Sequence, residues 1–183
     1  YIKNTFDPKA KGTLITKKPK SKNGPVKGIS HIEDIALLTL EGNGMVGIPG
    51  FSKRLFSALS RHEINVVLIT QASSEHSICV GVYSKDAKQA KSIVDDEFAY
   101  EISLKRIQPL LVEDELAIVA VVGDKMKSHQ GISGRLFSSL GQNNVNVRAI
   151  AQGASERNIS AVIAHKDIKK ALNTLHNRFF EKQ

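Results

Sequence analysis

The chain has no tryptophan, one cysteine, and only 5% aromatic residues among its 183. The lone thiol, Cys79, excludes an internal disulfide framework and fits a reducing, cytoplasmic setting. It stands in an apolar, strand-like run and reads as a buried thiol. No apolar run approaches ~18 residues, so no membrane span is expected. The opening YIKNTFDPKAKGT carries no apolar core and is not a secretory signal. It also lacks an initiator Met, so the chain is expected to be an excised piece. There is no GxGxxG, no Gly-Lys-Ser/Thr phosphate loop, no CxxC and no HExxH. His31, His62, His76, His129, His165 and His176 are scattered without metal-ligand spacing. No catalytic centre, metal or cofactor is expected. The run Asp95-Asp96-Glu97 falls late on a helical stretch and reads as a solvated face.

What is present is ordinary for a globular chain: 41% hydrophobic and 24% charged residues. The net charge of +8 raises nucleic acid as a partner. Much of the excess lies in Lys9, Lys11, Lys17, Lys18, Lys20, Lys22 and Lys27, among Pro19, Gly24 and Pro25. No aromatic residues interleave there to stack on bases, so nucleic-acid binding is not expected. Residues 16–25 read as a mobile linker. Phe6, Leu14 and Ile15 read as residues that tuck into a neighbouring domain.

The strongest signal is an internal repeat. Shifting the chain by 81 residues lays 35–98 on 116–179 without a gap, with 22 identities over 64 positions. Among them are Gly42/Gly123, Met45/Met126, Gly50/Gly131, Arg54/Arg135, Asn65/Asn146, Gln71/Gln152 and Phe98/Phe179. Two copies predict paired domains rather than a solenoid, which needs three or more.

Each copy reads as strand, helix, hairpin, helix. In the first, 35–42 is a strand broken at Gly42. Pro49 marks the start of a helix with Phe51, Leu55, Ala58 and Leu59 inward. Residues 65–71 and 77–83 form a hairpin around a polar turn at 72–76. Residues 86–99 form a second helix with Asp86 as N-cap, and 100–104 read as a closing strand. In the second copy the strand is 116–123, the helix 131–144 with Ser133 as its cap, the hairpin 145–152 and 158–165, and the last helix 167–180. Residues 26–32 read as a short edge strand, and 107–112 as an edge strand or connection around Pro109. The order predicts an α+β fold of two ferredoxin-like βαββαβ units with antiparallel sheets, related by a pseudo-two-fold.

The repeated polar positions bear on function, and two readings stand for each. Gln71 and Gln152 end apolar strands; each satisfies loop backbone or recognises a ligand hydroxyl or small zwitterion. Asn65 and Asn146 are turn residues leaving a helix or the rim of the same site. The glycine-rich turns 42–50 and 123–131 are tight turns needing positive φ, or helix starts whose free N–H groups suit a carboxylate.

INVVLITQASSE and VNVRAIAQGASE, carried on two such units, resemble the paired ACT domains of aspartate kinases, most closely the bifunctional aspartate kinase–homoserine dehydrogenase type. KNTFDPKAKGT resembles the end of that family's kinase domain, and HNRFFEKQ falls where a dehydrogenase domain begins. The resemblance implies a kinase tail and linker at 1–25, one ACT domain at 26–104 and a second at 105–183. It also implies that the strand near 26–32 belongs to the second domain. It implies an allosteric module that binds a feedback amino acid, with effector contacts at Met45, Gly50, Phe51, Ser52, Asn65, Val66 and Gln71. Their equivalents are Ile132, Ser133, Asn146, Val147 and Gln152. Lysine-sensitive relatives of one class carry an aspartate where this chain has Val67. Val67 and its counterpart Arg148 offer no partner for an ammonium, so threonine is the expected effector and lysine the alternative. The resemblance further implies a homodimer, joined through ACT domains. Rival readings are a ligand-free dimerisation module and an enzyme using the interface between the repeats.

Overall fold

A computed structural model of the chain describes residues 1–16, 24–71, 76–124, 126, 129–153 and 157–181. Most of the basic stretch 16–25, the turn at 72–75 and parts of the second glycine turn lie outside the described residues.

Two long strands organise the molecule. Strand β1 spans Val26–Glu41 and β4 spans Leu111–Gly123. After β1 come α1 (Phe51–Arg61), β2 (Leu68–Gln71), β3 (Ser77–Tyr83), α2 (Ser84–Glu97) and α3 (Ala99–Ser103). After β4 come α4 (Ile132–Gln142), β5 (Val147–Gln152), β6 (Asn158–Ala164) and α5 (Ile168–Phe180). The six strands form one antiparallel sheet in the order β2-β3-β1-β4-β6-β5. The stretch at 26–32 is therefore no edge strand. It is the first half of a central strand and pairs with 118–123.

Each central strand serves both units. The second half of β1 pairs with β3 and sends Ala36, Leu38 and Leu40 into a core with Leu55, Leu59 and Val94. Its first half sends Val26 and Ile29 into the other core, with Leu136, Leu140 and Leu175. Reciprocally, β4 puts Val119 and Val121 in the second core, while Ile107 and Leu110, just before it, belong to the first. The two units are thereby completed by strands exchanged within one chain.

A strand's side chains alternate with a period of two, so a slip of one residue moves an apolar set to the other face. On β1 the helix-facing residues are odd-numbered at Ile29 and even-numbered at Ala36 to Leu40. The slip falls at the register shifts between Ile32 and Leu37, where Asp34 has φ 56°. Glu115 has φ 57° at the equivalent point of β4, 81 residues on. Left-handed residues of this kind make β-bulges. Further pairs 81 apart also share positive φ: Gly24/Lys105, Gly50/Gly131 and Glu63/Asn144. The backbone repeat thus reaches back at least to 24, eleven residues before the sequence match.

The helix-free face is buried too. Ile35, Leu37, Leu68, Leu116, Ile118 and Val162 form a third cluster, and Cα atoms of the edge strands β2 and β5 approach within 8 Å. The sheet therefore curls into a concave face lined by both units.

Several local expectations are corrected. Residues 100–104 are not a strand: Ile102 N–H donates to Phe98 carbonyl at 3.0 Å, and α3 runs there. The closing strand is 111–115 of β4. Helix α2 begins at Ser84, so Asp86 lies in its first turn, where its charge still favours the helix dipole. Gly50 and Gly131 occupy the N-cap positions of α1 and α4, so Pro49 precedes the first helix and Ser133 lies inside the second. Phe6, Leu14 and Ile15 are exposed in this chain.

Gly42 and Gly123 end the two halves where the exchanged strands enter. A Cβ on Gly42 would lie 2.5 Å from the Arg106 carbonyl oxygen, and one on Gly123 2.3 Å from that of Pro25. Gly42→Ala and Gly123→Ala should each destabilise by about 1–3 kcal/mol. Gly134→Ala, in open space on α4, should stabilise by about 0.5–1 kcal/mol. Urea midpoints at constant slope read all three, and an unchanged midpoint for Gly42→Ala contradicts the close approach.

Candidate functional site

Strand β1 stops at Gly42, and a 3₁₀ turn, Asn43–Met45, leads towards α1. Met45 N–H donates to Gly42 carbonyl at 3.2 Å, and Ile48 N–H to Met45 carbonyl at 3.2 Å. Gly50, at φ 107°, turns the chain into α1, whose first turn has no side-chain cap. Its leading N–H groups are left for another acceptor. Gln71, the last residue of β2, pairs with Ile78 beside this turn.

These elements enclose a cavity of about 330 Å³ lined by Met45, Ile48, Pro49, Phe51, Ser52 and Gln71, with Gly47, Gly50 and Ile78 completing it. That volume is at the low end of the ~300–1,000 Å³ range of small-molecule sites. None of the described lining residues is a carboxylate.

Phe51 is held firmly. Its ring stacks on Phe98 with centroids 5.6 Å apart and planes 2° from parallel. The Arg54 guanidinium lies 4.3 Å from the Phe98 centroid on a cation–π contact. Arg54 Nε donates to Glu97 Oε1 at 3.0 Å, and its terminal nitrogens donate to Glu101 and, at 2.6 Å, to the Glu97 carbonyl. Arg61 donates to Glu97 Oε2 at 2.8 Å. Asp95 accepts from Leu110 N–H at 2.7 Å and pairs with Lys91. Asp95 and Glu97 are thus working partners rather than a solvated face. The second copy repeats the cation–π contact, Arg135 over Phe179 at 5.2 Å. Arg54/Arg135 and Phe98/Phe179 were visible as identities, yet nothing in the sequence said that they touch.

Of the first-copy positions, Met45, Gly50, Phe51, Ser52 and Gln71 meet at the cavity. Asn65 is exposed between α1 and β2, and Val66 packs on the first core; neither lines it. In the second copy Ile132 is buried, Ser133 and Val147 are half-buried, and Asn146 and Gln152 are exposed. Parts of their turns, 125, 127–128 and 154–156, lie outside the described residues.

Val67 does not line the first cavity. Val67 packs against the concave cluster. Arg148 sits at the β5 register shift between Val147 and Ala149, and its Nε meets Glu113 Oε1 at 2.9 Å. Strict alternation along the motif does not anticipate that bulge. Cys79 is half-buried and also lines the concave face, with burial as the main cause raising its pKa. Among the described residues no group of three or more His, Cys, Asp or Glu is placed to hold a metal ion. No helix among them is long and apolar enough to cross a membrane.

The ACT-domain family model matches residues 38–98 and 119–179, one match per unit. The chain belongs to the ACT-domain family. It is 44% identical over 179 residues to a bifunctional aspartokinase/homoserine dehydrogenase of Haemophilus influenzae, covering 98% of this chain and 22% of that protein. It superposes on the aspartate kinase of Clostridium acetobutylicum with a TM-score of 0.83 at 26% identity, over 97% of this chain and 40% of the other. It also superposes on E. coli aspartokinase III in complex with lysine and aspartate, with a TM-score of 0.69 at 28% identity, over 88% and 35%. The resemblance drawn from the two repeated motifs therefore holds. This is a tandem-ACT regulatory module of the aspartate-kinase kind, spanning about a fifth of the length of the curated relatives it matches.

The Arg54 network makes a pH prediction. Hydrogen bonds from Arg54, first among the causes, hold Glu97 and Glu101 below the usual carboxylate range. A carboxylate whose pKa is lower folded than unfolded stabilises fully above its unfolded value, about 4.3, and stops doing so as pH falls through the folded one. Arg54→Met should cost about 1–2 kcal/mol at neutral pH, a figure reduced because the side chain is 37% exposed. The gap to the wild type should narrow as pH drops below about 4. Parallel denaturation curves with a constant gap would show that these carboxylates do not depend on Arg54.

Proposed function

We propose that this module senses threonine and biases an attached aspartate kinase, with a homoserine dehydrogenase domain as the further fusion partner. Residues 1–25 would be the kinase's tail and a basic linker, 26–104 and 105–183 the two ACT domains, and the setting cytoplasmic. The observation that carries the reading is the cavity at the start of α1. It offers helix N–H groups and Ser52 for a carboxylate, Gln71 for a hydroxyl or ammonium, and Met45, Ile48 and Phe51 for a methyl group. A lysine side chain would desolvate an ammonium with no carboxylate among the described lining residues. Val67, whose residue type favoured threonine in the sequence, packs against the concave cluster instead. Lysine stays the second reading because E. coli aspartokinase III holds it.

The turn is built to transmit occupancy. Gly44 N–H donates to Arg106 carbonyl at 2.9 Å, and Gln108 N–H to Glu41 carbonyl at 2.9 Å. Shifting the turn therefore pulls on the segment that feeds β4 and the second unit. A ligand preferring one arrangement biases both, with a coupling free energy of about 1–3 kcal/mol.

Calorimetry with threonine, lysine and methionine tests the proposal. Threonine should bind, and Gln71→Ala should weaken it by roughly ten- to a hundredfold, the ~1–3 kcal/mol of a lost hydrogen bond. Gln152→Ala should weaken binding less, because Ile132 and Gln130 replace Phe51 and Pro49 in the second copy. Unaltered affinity in Gln71→Ala would remove this cavity as the site, and binding of lysine alone would select the second reading. The module should also be a homodimer closed by two-fold symmetry. A sedimentation mass that stays near 20.0 kDa at high concentration would refute that.

A further inference from the structure

A second cavity, of about 470 Å³, lies on the concave face between the two units and shares no residue with the turn cavity. Leu37 and Ala149 contribute apolar wall, and Thr39 and Thr70 contribute hydroxyls. Both members of the Arg148–Glu113 ion pair also line it, with side chains 43% and 47% exposed.

The repeat itself makes this cavity conspicuous. Shifted by 81, Thr39, Thr70, Glu113 and Arg148 fall on Ala120, Ala151, Ile32 and Val67. Ala149 falls on Leu68, which fills the concave cluster at 6% exposure. At these five positions one half carries apolar residues and the other carries the ion pair, two hydroxyls and a smaller side chain, whereas Cys79, Leu111 and Val112 of the same wall fall on Ser160, Ser30 and His31. Backbone symmetry does not require that difference, and the polar groups are already engaged within the chain: Arg148 with Glu113, and the Thr39 hydroxyl donating to Cys79 Sγ at 3.5 Å.

We propose that this cavity binds a small α-amino acid zwitterion with a short uncharged side chain. The Arg148 guanidinium donates to the ligand carboxylate, for which its planar fork is suited. The ligand ammonium donates to the Glu113 carboxylate. The side chain meets the Thr39 and Thr70 hydroxyls or the Leu37 wall. Arg148 and Glu113 pair with each other. A half-exposed pair of this kind contributes little to stability, so exchanging it for a ligand of both charges costs little. Because Glu113 lies on β4 and Arg148 on β5, an occupant bridges the two units. None of this requires the turn cavity to bind anything.

Cys79 is the chain's only thiol, is half-buried and lines this cavity, so its alkylation by N-ethylmaleimide reports occupancy. The probes are L-alanine, L-serine and L-threonine; propionate and ethylamine, each carrying one of the two charges, are the controls. At saturation at least one amino acid should slow alkylation about tenfold, in the wild type and in Gln71→Ala alike, while neither control does. The protection should vanish in Arg148→Met and in Glu113→Gln and return in part in Arg148→Lys. Glu113→Gln keeps the shape of the side chain, so a fold defect peculiar to Arg148→Met does not decide the result. Protection by none of the three amino acids overturns the proposal. So does protection that survives both Arg148→Met and Glu113→Gln, and so does protection lost in Gln71→Ala, which would trace it to the turn.

Discussion

The phase slip in the two central strands is the constraint on which the rest depends. A straight strand of 16 residues keeps one set of side chains on each face. Here β1 must face two helix-covered cores in succession, and its apolar residues change parity between Ile29 and Ala36. Left-handed Asp34 and Glu115 absorb that change in β1 and β4. A non-glycine residue in this conformation is uncommon and costs of order 1 kcal/mol or more. Two of them, 81 residues apart, are tolerated because each keeps several buried side chains on the correct side.

Strand exchange follows from the slip. Each unit would lack its fourth strand without the other's central strand. The contact that admits the exchanged segment, Gly42 and Gly44 against Arg106 and Ile107, lies one turn from the cavity under Gly50. The second copy has the same arrangement at Gly123, where Asp124 N–H donates to Pro25 carbonyl at 2.9 Å. The first turn cavity therefore lies next to the join between units.

The gapless match from 35 to 98 made the two units and their helix–hairpin–helix order legible, because buried faces and turn residues recur at fixed spacing. It also brought out Gly50 and Gln71, which the structure places in one cavity. The exchange was invisible to the same comparison: 24–34 and 105–115 share the fold position without one identical residue. A central strand there needs only an apolar residue of any shape on each side. Residues 100–104 misled because an apolar–polar alternation over five residues fits a strand as well as a turn of helix. What settles it is tertiary, Glu101 reaching Arg54. Arg148 misled for the opposite reason. A bulge moves one side chain to a different face, and the motif around it gives no sign.

The two copies keep one backbone and differ in chemistry. In the first copy Phe51, Phe98, Arg54, Glu97 and Glu101 form one continuous stack. In the second, Ile132 replaces Phe51 and Arg178 replaces Glu97, so Arg135 keeps its ring but meets no carboxylate at that position. Two arginines of α1 tie the first helix pair to the C-terminal end of α2, whereas among the described residues the second pair has apolar packing and a cation–π contact. On the concave face Arg148 of the second copy pairs with Glu113, on the strand segment that completes the first. Only 22 of the 64 aligned positions are identical, so the shared backbone is held by the turn residues and buried faces that recur, and the remaining positions carry unlike chemistry in the two units.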